Sequence, residues 1–245
     1  MSLTGLQSAL GRAIQAGNAA RHLRLEDFDL SQDEKASLAR VLASPGFGVT
    51  VKIQRSWCEA RAAKGARLSL SILPPAMRRR LVGEWVNQGG GTNSFFSAEA
   101  DAFLEFLTLR LPNPSHALTL CRFELAARRA GEFATRFEAP NDACPDDSAW
   151  IRRANRHAAL VDFFAEPDLL LAAVEGECAL PPLSETAIPV WITPGVPGLI
   201  RQAETAEVAL WHALAEPATV ATLLHEGHGR DTIDTLLAIG AAEWR

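Results

Sequence analysis

Residues 204–244 read ETAEVALWHALAEPATVATLLHEGHGRDTIDTLLAIGAAEW. Apolar spacing marks three helical segments in this stretch, Glu204 to Leu214, Thr219 to Glu226 and Asp231 to Ile239, the last closed by Gly240. Ala241 to Trp244 then suits a short returning strand. Helix, short helix, helix and returning strand is the succession of a winged-helix domain. Upstream, Ala159 to Phe164 reads as a short strand and Asp168 to Val174 as a short helix. Val190-Trp191-Ile192 and Leu199-Ile200-Arg201 form two extended pieces around Pro194-Gly195.

The first half reads as helices. Ser31-Gln32-Asp33-Glu34 is a capping box opening a helix through Leu38 and Leu42, stopped by Ser44-Pro45-Gly46. Pro74-Pro75 opens another, with Met77, Leu81 and Trp85 at four-residue spacing and Arg80 and Glu84 on a charged face; the glycines 89 to 91 end it. A helix from Ser97 carries the apolar stripe Ala100, Phe103, Leu107 and Leu111. After Pro112 and Pro114, Leu118, Cys121 and Leu125 mark the inward face of a helix running to about Gly131. The acidic, aperiodic segment Asn141-Asp142-Ala143-Cys144-Pro145-Asp146-Asp147 is the natural boundary. The expected fold is therefore α+β, mostly α: a helical bundle over residues 1–140 and a small winged-helix-like domain over 141–245.

Charge separates the same two halves. The chain has 245 residues and a net charge of -5, but Met1 to Gly131 holds 17 basic and 11 acidic side chains, whereas Glu132 to Arg245 holds 7 and 18, a net of -11. A winged helix invites a DNA-binding reading, in which basic groups neutralise phosphates. The would-be recognition helix offers Arg230 against Asp231 and Asp234 in an acidic half, so repulsion replaces attraction. With 48% hydrophobic and 22% charged residues, a disordered chain is excluded. The uncharged stretch Thr186 to Ile200 is broken by Pro189, Pro194 and Pro197 and is too short to span a bilayer. The start of the chain has no export pattern, and Cys58, Cys121, Cys144 and Cys178 lack C-x-x-C spacing, so a cytoplasmic protein with reduced thiols is expected.

Sites that carry their own chemistry are hard to find. His225-Glu226-Gly227-His228 has histidines at i and i+3 rather than the i and i+4 of a zinc helix, and Gly227 marks a helix end. Gly89-Gly90-Gly91-Thr92 lacks the Lys of a phosphate loop. Cys121 lies in an apolar stripe and reads as a packed thiol, although with His116 it is the one pair from which a freestanding enzyme can be imagined. Glu124 and Arg128 form an i,i+4 pair, either a helix salt bridge or a contact for another protein. Arg78, Arg79 and Arg80 read as a solvated face, available to an acidic partner.

The stretch Pro114-Ser115-His116-Ala117-Leu118-Thr119-Leu120-Cys121-Arg122-Phe123-Glu124-Leu125-Ala126 resembles the Leu-x-Arg-x-Glu-x-Ala helix of the partner proteins of multinuclear non-heme iron oxidative enzymes, as in methanobactin and 3-thiaglutamate biosynthesis. The C-terminal succession, with Glu207 to Leu214 and Ile233 to Gly240, is similar to the same family. The resemblance implies a non-catalytic companion that binds a ribosomally made precursor peptide and presents its cysteine to a separate TIM-barrel iron enzyme as a heterodimer. It implies no metal ligand and no cofactor in this chain, the iron belonging to the partner; the charge and composition above add that neither nucleic acid nor membrane is the expected target. Peptide capture would use strand addition to a sheet edge. The candidate edges are Pro189 to Thr193 and Leu199 to Gln202, which make Val190, Trp191, Ile192, Leu199, Ile200 and Arg201 the expected peptide contacts, with Trp191 or Arg201 holding a side chain. His116, Arg122 and Glu124 are the expected partner contacts. The acidic half suggests a leader favouring basic or apolar residues. The alternative from another class is a winged-helix transcription regulator.

Overall fold

The structure is a computed structural model in which residues 3–91, 96–139 and 146–244 are described. The fold is α+β and mostly α, with helices α1 (Leu3–Ala16), α2 (Gln32–Ala43), α3 (Pro45–Gly65), α4 (Arg67–Ser71), α5 (Pro75–Asn87), α6 (Phe96–Thr108) and α7 (His116–Ala134) preceding the strands. There follow β1 (Trp150–Arg153), β2 (Ala159–Phe163), α8 (Pro167–Glu175), β3 (Ile188–Ile192) and β4 (Ile200–Gln202). The chain then runs through α9 (Thr205–Ala213), β5 (Ala218–Thr219), α10 (Val220–His225), α11 (Arg230–Ala238) and β6 (Ala242–Trp244). No helix among the described residues is long and apolar enough to cross a membrane.

Two compact units divide the chain, one formed by Met1–Ala66 with Pro74–Phe103, the other by Arg67–Leu73 with Leu104–Arg245. In the first, Ser31 caps α2 with both arms of the capping box: its Oγ accepts from the Glu34 N–H at 3.3 Å, and its own N–H donates to Glu34 Oε2 at 2.8 Å. Ser44 ends α2, yet Pro45 does not leave a loop. It occupies the first position of α3, where a missing N–H costs nothing, and the Ser44 hydroxyl accepts from the Phe47 N–H at 3.2 Å. Glu99 of α6 is 4% exposed and pairs with Arg61 at 2.5 Å.

The second unit holds two antiparallel three-stranded sheets, ordered β5-β1-β6 and β2-β3-β4. β3 is buried on both faces. Trp191 joins Leu210, Trp211, Leu223, Ile233 and Leu236 in the core beneath α9 to α11, while Val190 and Ile192 join Leu120, Ala126, Ala130 and Phe163 on the side of α7. This alternation is the period of a strand, and burial on both faces explains its unbroken apolar run. The helices and returning strand expected after Glu204 are α9, α10, α11 and β6, with β5 between α9 and α10. Gly227 and Gly240 take φ of +90° and +72°, and the bonds His228 N–H to Leu223 O and Ala241 N–H to Leu236 O complete two Schellman endings.

The division differs from the 140/141 break expected from sequence. The apolar residues of α7 share one core with β2 and β3, so 116–134 belongs with the strands, and the division falls between Phe103 and Leu104. Most of the acidic segment taken as the boundary, residues 141–145, and Thr92 of the glycine turn lie outside the described residues.

Candidate functional site

Pairing in the β2-β3-β4 sheet determines which edges are open. The Pro189 carbonyl accepts from the Ala203 N–H at 2.9 Å and the Thr193 N–H donates to Leu199 O at 3.1 Å, so the odd positions of β3 face β4 and the even positions face β2. Both sides of β3 are thus occupied, and the edge expected at Pro189 to Thr193 is no edge. Val190, Trp191 and Ile192 are 1%, 0% and 0% exposed, which removes them as peptide contacts in the folded unit. The Trp191 ring instead meets Trp211 edge-on at 5.1 Å and donates its indole N–H to Glu207 Oε2 at 3.0 Å.

The second expected edge is present. Among the described residues β4 borders only β3, and the register Trp191↔Arg201 turns the N–H and C=O of Ile200 and Gln202 away from the sheet. Leu199 enters the strand at φ +67° and packs its side chain on the core shared with α7. Arg201 is partly exposed, but its Nη2 is bound to Glu207 Oε1 at 2.7 Å and its Nη1 to the Gln202 carbonyl at 3.2 Å. Burial alone would raise the Glu207 carboxyl; the bonds from Arg201, the Glu204 N–H and Trp191 outweigh it and hold the group below the usual carboxylate range. Arg201 is therefore first a fastener of β4 to α9.

The expected partner contacts of α7 have different fates. His116 is 7% exposed, with Nε2 2.8 Å from the Pro181 carbonyl and Nδ1 buried without a hydrogen-bond partner among the described residues. Glu124 does not pair with Arg128, which stands 4.0 Å from Glu132. Its carboxylate points inward and accepts from the Leu68 N–H at 2.7 Å, the Ser69 N–H at 2.9 Å and the Ser69 hydroxyl. Glu124 thereby satisfies the amides at the start of α4, donors that a five-residue helix has no turn of its own to use. Both residues are structural in the folded unit. Arg122 is the exception: half-buried, it makes no hydrogen bond or ion pair among the described residues. Burial pushes the neighbouring Cys121 thiol up to about 12, with the Glu124 carboxylate adding to the shift, and its Sγ donates to Leu104 O. A thiol so placed is no nucleophile at neutral pH.

Arg122 opens onto a cleft of about 190 Å³ between α7 and the residues 158–161 at the start of β2. Consecutive strand residues point to opposite faces, so a cleft lined by Ala159, Leu160 and Val161 in succession meets the strand along its edge. The ladder agrees: Ala159, Val161 and Phe163 face β3, leaving the N–H and C=O of Leu160 and Asp162 directed outward. The Asp162 carbonyl takes the Thr119 hydroxyl of α7 at 3.2 Å. The Leu160 groups have no such partner among the described residues.

Through Arg129 and Asn155 this cleft continues into a groove of about 770 Å³. Arg136, Arg152, Arg153 and Arg156 line it, four of the seven basic residues in an otherwise acidic half. Arg153 donates to the Trp211 and His212 carbonyls at 2.6 and 3.2 Å and lies over the Trp211 ring, so it closes the end of α9. Arg152 pairs with Glu243 at 2.7 Å. Arg136 and Arg156 are exposed and their guanidinium groups have no partner among the described residues. His157 stacks on Phe133 at 4.0 Å, and burial lowers its imidazole against the pull of Glu243. The signal for this groove was the cluster Arg152-Arg153-Ala154-Asn155-Arg156-His157, which averaging over the acidic half conceals.

On α11, Arg230 is held by Asp147, and the face carries Asp231 and Asp234. Among the described residues no three His, Cys, Asp or Glu side chains gather as a metal site. The chain matches no protein-family model and no curated protein.

Proposed function

We propose that the chain is a non-catalytic partner subunit that binds a ribosomally made precursor peptide and presents its cysteine to a separate TIM-barrel multinuclear iron enzyme. The observation that supports this most is the open edge of β4, where Ile200 turns its N–H and C=O and Gln202 its N–H outward, the Gln202 carbonyl being taken by Arg201, on a sheet fixed by the Trp191–Glu207–Arg201 set. An extended leader adding there gains main-chain bonds without disturbing the core. The likeness of the α7 segment to the companion-protein helix supplies the identity of the enzyme. In this reading the chain acts by tethering: a bound leader raises the effective concentration of its cysteine at the partner's iron. The winged-helix-like succession from α9 to β6 serves as a scaffold for the sheet, and its acidic α11 disfavours a nucleic-acid phosphate.

Co-expression with the iron enzyme and the precursor peptide tests the reading. A complex that survives purification, and oxidation of the peptide cysteine that depends on this chain, are the expected results. No complex together with unchanged turnover would remove the proposal.

A further inference from the structure

We infer that the cleft between α7 and the open edge of β2, continuing into the arginine groove, takes an extended acidic peptide segment. The inference goes beyond the peptide-capture reading, on which it rests only for the origin of the peptide: it names a second edge, separate from β4, and the charge of the segment that lies along it.

Main-chain geometry is the first ground. Leu160 directs its N–H and C=O outward into the cleft, so a strand laid against it finds a donor and an acceptor on one residue, as antiparallel pairing requires. At the far end Thr119 occupies the Asp162 carbonyl, which sets where α7 closes on the strand and gives the cleft a stop. The second ground is charge. Arg122 stands beside the strand edge, and Arg136 and Arg156 stand in the adjoining groove, all three without hydrogen-bond or ion-pair partners among the described residues. A carboxylate reaching any of them gains a charge-assisted bond and breaks none already made.

The same groove argues against a nucleic acid. Glu132 and Glu243 lie within it, and residues 132–245 carry a net charge of -11, so a phosphate backbone continuing past the arginines would meet repulsion. A short acidic segment ends where the positive charge ends. This reverses the charge preference expected from the half-chain average, because four arginines concentrate on one surface what the average dilutes.

The test uses the full chain and a short fluorescent peptide alternating glutamate and valine, with a lysine-valine counterpart, an N-methylated copy of the acidic peptide and a single-stranded oligonucleotide. Fluorescence anisotropy is expected to show salt-sensitive binding of the acidic peptide, lost on N-methylation and absent for the lysine peptide. Arg122→Ala with Arg156→Ala should weaken it roughly tenfold at unchanged melting temperature; Arg156→Ala alone, at an exposed side chain, should weaken it less. Absence of binding, equal binding of the lysine peptide, tighter binding of the oligonucleotide, or indifference to the arginine variants would each overturn the inference. Salt-sensitive binding that N-methylation abolishes but the arginine variants leave intact would move the peptide to another edge such as β4, sparing the capture reading and ending this one. Acidic-peptide binding without any complex with the iron enzyme would do the reverse.

Discussion

Trp191 and Arg201 lie opposite each other across the β3–β4 ladder and bind the two oxygens of one carboxylate, that of Glu207 on α9. A strand core, a strand edge and a helix are tied at one buried point. Glu207→Ala leaves the Trp191 indole N–H buried without an acceptor and Arg201 without its ion. The expected loss is about 2–4 kcal/mol in urea unfolding. A loss below about 0.5 kcal/mol, the level of ordinary surface substitutions, would mean that water or rearrangement replaces the carboxylate.

The same carboxylate gives stability a pH dependence of definite sign. Its folded pKa lies below the ordinary 4.5, so between the two values the unfolded chain binds more protons and stability rises with pH. The contribution is complete above about 4.5 and disappears as pH falls through the folded value. Glu207→Gln should flatten the unfolding free energy of the second unit over that acid window. An unchanged slope in the variant would show that other carboxylates set it.

Glu124 behaves oppositely. Burial raises its carboxyl above 4.5 despite the bonds from Ser69 and Leu68, so its folded form holds a proton longer than the unfolded one and stability falls as pH rises from 4.5 through the folded value. Glu124→Ala strands two amides and a hydroxyl of the short α4 and is expected to cost about 2–3 kcal/mol. Amide hydrogen exchange at Leu68 and Ser69 is the direct measurement. Protection that survives the substitution would show that α4 does not depend on Glu124.

Much of this was legible in the residues. The Ser31–Glu34 capping box, the Pro75 start, and the helices and strand after Glu204 depend on local chemistry that the sequence carries. Pairing partners were not. Glu124 and Arg128 have the spacing of a surface pair, but Ser69 lies 55 positions away in the chain and only tertiary structure brings it to the carboxylate. Val190-Trp191-Ile192 announced an extended piece, but the edge expected at Pro189 to Thr193 ignored its unbroken apolarity, which in the structure goes with burial on both faces. β1 escaped because Trp150-Ile151-Arg152-Arg153 buries only Ile151 deeply and becomes a strand through β5 and β6 rather than through its own pattern.

The thiols separate by environment. Cys121 is fully buried and raised to about 12, and burial together with the Glu99 charge raises Cys58, whereas Cys178 is exposed. Iodoacetamide at neutral pH followed by peptide mapping should label Cys178 readily and spare Cys121 until the chain unfolds. Cys144 lies outside the described residues and enters no part of the expectation. Rapid native labelling of Cys121 would revive the possibility of a nucleophile beside His116.

Gly240 and Gly176 offer a controlled comparison of two effects that usually come together. Both adopt left-handed backbone after a helix, with φ of +72° and +85°. A Cβ on Gly176 meets nothing within 4 Å, while one on Gly240 falls 2.6 Å from the Phe137 ring and 3.1 Å from Pro194 Cγ. Gly176→Ala therefore registers backbone strain alone, about 1 kcal/mol. Gly240→Ala adds overpacking of about 1–3 kcal/mol, because Phe137 also sits against Gly195 and has little room to move. Melting temperatures of the two variants, each a few degrees per kcal/mol, should rank Gly240→Ala well below Gly176→Ala. Equal values would mean that Phe137 swings away freely, and then the close packing of α11 on the 194–195 turn contributes nothing to holding the returning strand β6 in place.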